Sequence, residues 1–147
     1  METPDSNIDK FNDLAGRILG ELYSVFPCPA RLVPGNFYDF GCQSPDEVLS
    51  SDNYLFFVST VEWLISNGYI AASREQVWFS RAVLTEKALE TMNQLPESLD
   101  PNETRSRGQM LVDAVKSGNT LVWKAVFSEI ISAGVKISLH HVTGLDI

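Results

Sequence analysis

The stretch YLFFVSTVEWLISNGYIAASREQVWFSRAVLTEKALE, from Tyr54 to Glu90, decides how this chain is read. Its first twelve residues carry one charge, at Glu62, and their apolar content predicts a helix running through Trp63-Leu64-Ile65. Asn67-Gly68 ends it, because Gly readily takes the left-handed conformation that closes helices. Tyr69 to Ala72, Ser73 to Gln76 and Val77 to Leu84 then predict strand, turn and strand. Thr85 can cap a following helix through Met92, with Pro96 as its stop.

Working back toward the N-terminus, Ser44-Pro45-Asp46-Glu47 is a start signal for a helix of about two turns: Ser caps and Pro fits the first helical position. The break at Ser50-Ser51-Asp52 follows, and Asp52 can cap the apolar helix. Between Cys28 and Gly41 a Pro- and Gly-punctuated aromatic segment has room for a turn at Pro34-Gly35 and a short edge strand. Earlier still, Ile8, Phe11, Leu14, Ala15, Ile18, Leu19, Leu22 and Phe26 recur at three- and four-residue steps, the stripe of a long amphipathic helix. Ser6 and Asp9 fit its start, and Pro27 and Pro29 its end.

Beyond Met92, residues 96–108 hold two Pro, several polar groups and Gly108, the composition of a linker. A short helix is predicted near Gln109 to Lys116 and a stronger one from Thr120 to about Ala133. In the latter, Leu121, Val122, Phe127, Ile130 and Ile131 lie on a broad apolar stripe that must be buried by docking or by dimerisation. Residues 136–147 show no strong pattern.

The order helix, short strand, short helix, helix, hairpin resembles the winged helix-turn-helix proteins over about residues 8–95. Val61-Glu62-Trp63-Leu64-Ile65-Ser66-Asn67-Gly68-Tyr69-Ile70 is similar to the end of that family's recognition helix, and Leu84-Thr85-Glu86-Lys87 to its exit from the wing. The resemblance implies a mainly α fold with a small antiparallel β-hairpin. It divides the chain into a winged-helix-like domain over 1–95, a linker over 96–108 and a C-terminal helical segment over 109–147. It also implies a recognition helix in a DNA major groove with the wing beside the backbone. The chain departs from that pattern at the helix surface, where Asn53, Ser59, Thr60, Glu62, Ser66 and Asn67 include no Lys or Arg for guanine readout.

Charge points the same way. The net charge of −8 is uneven: residues 1–102 carry 6 Lys and Arg against 15 Asp and Glu, and residues 103–147 carry 5 against 4. Phosphate backbones are repelled by such a surface, and basic partners are attracted to it. A basic strip would require Arg74, Arg81, Arg105, Arg107 and Lys87 to share one side; scattered solvated charges are the simpler expectation.

Little in the chain suggests catalysis. It has no nucleophile elbow, phosphate loop or dinucleotide glycine pattern, and the adjacent His140-His141 lack metal-ligand spacing. Cys28 and Cys42 are expected as small buried hydrophobes, and no cofactor or metal is expected. The N-terminus lacks a signal-peptide pattern and no apolar run is long enough to span a bilayer, so a cytoplasmic location is the default.

The expected function is a non-enzymatic protein-interaction module, of inhibitor or immunity type, that binds a basic partner through its acidic surface. Trp78, Glu62, Asp46 and Glu47 are its expected contacts, since an exposed aromatic on a wing suits a protein interface. The competing expectation is a DNA-binding regulator using Arg74, Arg81 and Asn53, dimerised through the last helix.

Overall fold

The computed structural model describes residues 6–94 and 102–144, with the backbone alone for 138–144. The described chain is mainly helical with one small antiparallel sheet. Its elements run α1 (Asn7–Val25), β1 (Ala30–Leu32), a 3-10 turn at Pro34–Asn36, α2 (Pro45–Leu49), α3 (Asp52–Ser66), β2 (Ile70–Arg74) and β3 (Phe79–Leu84). Then follow α4 (Glu86–Met92), α5 (Arg107–Ser117) and α6 (Thr120–Gly144).

Local side chains set the helix boundaries. Hydroxyls of Ser6, Ser44 and Thr85 accept hydrogen bonds from the backbone N–H groups of Asp9, Glu47 and Ala88, as the sequence implies. At α3 the cap is Ser51 rather than Asp52: its hydroxyl accepts from the Tyr54 N–H at 3.2 Å, leaving Asp52 in the first turn, where a carboxylate favours the positive helix end. Gly68, at φ +79°, closes the far end of α3.

The sheet has a third strand beside the expected hairpin. β1 pairs with β3, giving the order β1-β3-β2. On both sides of β3 the register steps by two residues on the neighbour and three on β3, so β3 carries one extra residue. The extra residue falls around Arg81, which sits at φ +54°. Both hairpin strands start later than the sequence suggests, β2 at Ile70 and β3 at Phe79, which leaves Val77 and Trp78 in the turn.

The larger differences lie in the C-terminal third. Helix α5 begins at Arg107, two residues earlier than expected, with Ser106 as its cap. Helix α6 does not stop near Ala133 but runs to Gly144, through the stretch where no pattern was legible. The backbone at His140-His141 is therefore helical, while their side chains lie outside the description. Residues 95–101, including the expected stop at Pro96, also lie outside the described residues.

One core joins these parts. Leu14, Ile18, Leu19 and Leu22 of α1 are buried together with Phe57 and Leu64 of α3, Phe79 of β3, Leu111 of α5 and Phe127 and Ile130 of α6. Close helix approach explains Gly16 in α1, where a Cβ would lie 3.1 Å from the Trp123 ring. The indole N–H of Trp123 donates to the Asp13 carboxylate at 2.9 Å, pinning α6 to α1. Thus Phe127 and Ile130 dock within the chain, Val122 and Ile131 are half-buried, and Leu121 is 81% exposed.

Candidate protein-docking surface

Helix α3 is apolar around most of its circumference, yet the fold covers only part of it. Tyr54, Phe57, Val58, Val61 and Leu64 face the core. Leu55 remains 53% exposed and Trp63 37% exposed. A helix with this composition is ordinarily buried on all sides. The first turns of α1 add Ile8, 69% exposed although it belongs to the apolar stripe of that helix.

Of these exposed residues, Ile8 and Trp63 line a groove between α1 and α3. Ile8 and Phe11 form one wall, Phe56, Ser59, Thr60 and Trp63 the other, and the groove encloses about 400 Å³. Aromatic contacts hold its floor rigid. Phe11 meets Trp63 edge-on at 5.0 Å and Phe127 at 5.5 Å, while Trp63 stacks on Tyr69 at 6.0 Å. The Tyr69 hydroxyl donates to the Ile131 carbonyl at 3.3 Å, and burial raises the pKa of that phenol. Lys87 lies 4.4 Å from the Tyr69 ring and donates to the Asn67 carbonyl at 2.8 Å, closing the end of α3; burial lowers its pKa.

A second, polar hollow of about 470 Å³ meets the groove at Asn7 and Phe56. Lys10, Asp13, Arg17, Asp52 and Asn53 line it, so its charges balance. Arg17 is held in place: it donates to the Phe37 carbonyl at 3.4 Å and stands 5.1 Å from the Phe37 ring. Tyr38, at the hollow's edge, has its pKa raised by burial and secondarily by Asp13, against an opposing effect of Arg17. Apolar groove and polar hollow together make an amphipathic depression along α3.

The residues singled out in the sequence are dispersed around this depression. Asn53 lines the polar hollow. Glu62 is exposed on α3 but accepts a 2.6 Å ion pair from Arg74 of β2, both side chains half exposed. Asp46 and Glu47 are exposed in the first turn of α2. Trp78 is not a free anchor: it is half-buried, with the Arg31 guanidinium 5.0 Å from its ring. Cys28 and Cys42 are exposed thiols rather than buried hydrophobes, because they lie in the irregular segments either side of β1 and the 3-10 turn.

The cations of a possible phosphate-binding strip are already engaged. Arg74 is held by Glu62, and Lys87 by Asn67 and Tyr69. Arg105 pairs with Glu103 at 2.9 Å and Asp113 at 3.1 Å; hydrogen bonds from Arg105 hold the Glu103 carboxyl down to about 2. Arg107, expected in a linker, is 2% exposed and bonded to Glu129 at 2.9 Å. Arg81 alone of the five is exposed without such a partner among the described residues, on the bulge of β3.

Ile8, Phe11, Leu55, Phe56 and Trp63 were not singled out as contacts from sequence. The available signal was the low charge of α3, legible as a missing DNA surface but equally the mark of an uncovered apolar face. Among the described residues no cluster of His, Cys, Asp and Glu could hold a metal ion, and no helix is long and apolar enough to cross a membrane. No protein-family model, curated protein or solved structure matches the chain.

Proposed function

We propose that this chain is a non-enzymatic, winged-helix-like protein-interaction module that receives a basic partner protein in the α1/α3 groove. The winged-helix reading is supported by the succession α1, β1, α2, α3, β2, β3 and by the strand order β1-β3-β2. One observation carries the functional reading: the exposed face of α3 presents Leu55 and Trp63 and no Lys or Arg, and the wing cation Arg74 is paired with Glu62. Exposed apolar area with an aromatic at its centre is the chemistry of a protein contact. Asp9 beside Ile8, Asp52 at the start of α3, and Asp46 and Glu47 on α2 are exposed carboxylates that favour Lys and Arg on the partner.

Peptide display against the intact protein tests this. Selected peptides should combine spaced apolar anchors with Lys or Arg, and Trp63→Asp or Ile8→Asp should abolish their binding, while Arg81→Ala leaves it unchanged. Enrichment of acidic peptides, or binding indifferent to both groove variants, would count against the reading. Tight, sequence-selective binding of duplex DNA at physiological salt, weakened by Arg81→Ala, would replace it with a nucleic-acid function.

A further inference from the structure

We infer that the polar hollow between α1 and the start of α3 is a binding site for a small zwitterion, an α-amino acid with an apolar side chain. The hollow encloses about 470 Å³, within the range of small-molecule sites. Three segments wall it: Lys10, Asp13 and Arg17 come from α1, Asp52 from the first turn of α3, and Tyr38 from the chain after the 3-10 turn. Two cations and two carboxylates therefore line one small volume.

Those charges are not paired with one another. Lys10 and Asp13 stand three residues apart, and Asp13 and Arg17 four, the spacings at which opposite charges on a helix meet. Among the described residues, however, none of the four forms an ion pair. The fold turns two of them elsewhere: Asp13 accepts from the Trp123 indole at 2.9 Å, and Arg17 donates to the Phe37 and Asn36 carbonyls at 3.4 and 3.5 Å. Lys10 and Asp52 are exposed, with no side-chain hydrogen bond among the described residues. Charges of both signs thus stay open to a ligand.

Charge decides the ligand class. An anion would gain from Lys10 and Arg17 what it loses to Asp13 and Asp52, and a cation the reverse, whereas a molecule carrying both charges gains from both pairs. Its carboxylate turns to the cations and its ammonium to the carboxylates, in charge-assisted hydrogen bonds. The apolar part follows from the walls. Leu14 lines the hollow, and Phe56 lines both the hollow and the adjoining groove, so an aliphatic or aromatic side chain leaves the polar end over apolar surface. The site does not rest on partner docking, since a small molecule fills it whether or not the groove takes a peptide.

Titration of the full chain with L-leucine, followed by its amide chemical shifts, tests the site. Saturable shifts centred on Asn7, Lys10 and Asn53 should give a Kd between roughly 10 μM and 1 mM. Isocaproate, isoamylamine and glycine lack the ammonium, the carboxylate and the side chain in turn, and each should bind about 10-fold more weakly or worse. Lys10→Gln and Asp52→Asn should each weaken leucine by about 10-fold without altering helicity. Shifts that do not saturate by ~10 mM, any of the three analogues binding as tightly as leucine, or affinity indifferent to both substitutions would each overturn the proposal. A chain that binds leucine but no basic peptide would keep this site and lose the groove reading, and the reverse result would do the opposite.

Discussion

Gly134 shows how little room single residues have in this fold. A Cβ there would collide with the Tyr69 hydroxyl and lie 2.9 Å from two of its ring carbons, and the Tyr69 ring is fixed between Trp63, Lys87 and the Ile131 carbonyl. Neither partner can yield without breaking the stack beneath the groove. Gly134→Ala should therefore cost about 1–3 kcal/mol, the usual range for overpacking, measured by urea denaturation. Lowered groove affinity should accompany it, since the Trp63 ring rests on Tyr69. Nothing in the sequence singles out this glycine, because nothing local announces a ring 65 positions earlier. Arg107 was obscured for the same reason: its guanidinium is buried by partners on α4 and α6 that are far from it in the chain.

Arg107 acts at the scale of whole elements, as a clamp where α4, α5 and α6 meet. Its Nε donates to Glu129 of α6 at 2.9 Å, and its Nη1 to the Thr91 carbonyl of α4 at 3.0 Å and the Gln94 side chain at 2.9 Å. Removing one partner of such a buried pair leaves the other charge and a carbonyl without compensation. Arg107→Ala should lose about 3–5 kcal/mol of stability, whereas replacing both charges, Arg107→Met with Glu129→Leu, should recover much of it. Chemical denaturation of the three variants checks the pattern. Elements were legible in the sequence where the signal was local: hydroxyl caps at Ser6, Ser44 and Thr85 and the Gly68 stop mark their helices in the structure. β1 was legible only as a possible short edge strand, because three residues acquire strand geometry by pairing with β3 and have no pattern of their own. Helix α6 outran its expected end because its two faces are both poor in charge, which erases the periodic contrast on which a boundary depends.

On the scale of the molecule, the sequence placed the C-terminal stripe against something without saying what, and Phe127 and Ile130 answer that it is α1 and the shared core. The candidate groove follows from the same packing, since Phe11 touches both Phe127 behind it and Trp63 in front. The chain up to Gln94 contains every element of the winged-helix reading, yet α1 buries one side against α3 and the sheet and another against α5 and α6. A chain ending at Gln94 would uncover Gly16, Gly20 and their neighbours. It would also forgo the burial of Leu111, Val112, Trp123, Val126, Phe127 and Ile130. At about 1.5–3 kcal/mol for each fully buried side chain, that loss is comparable to the whole net stability of a domain, roughly 5–15 kcal/mol. The shortened chain should therefore show no cooperative thermal transition and should bind a hydrophobic dye, where the full chain unfolds in one step. If it instead melted cooperatively, α5 and α6 would be an appendage on an independent domain, and the groove would not need Phe127 behind it to hold its shape.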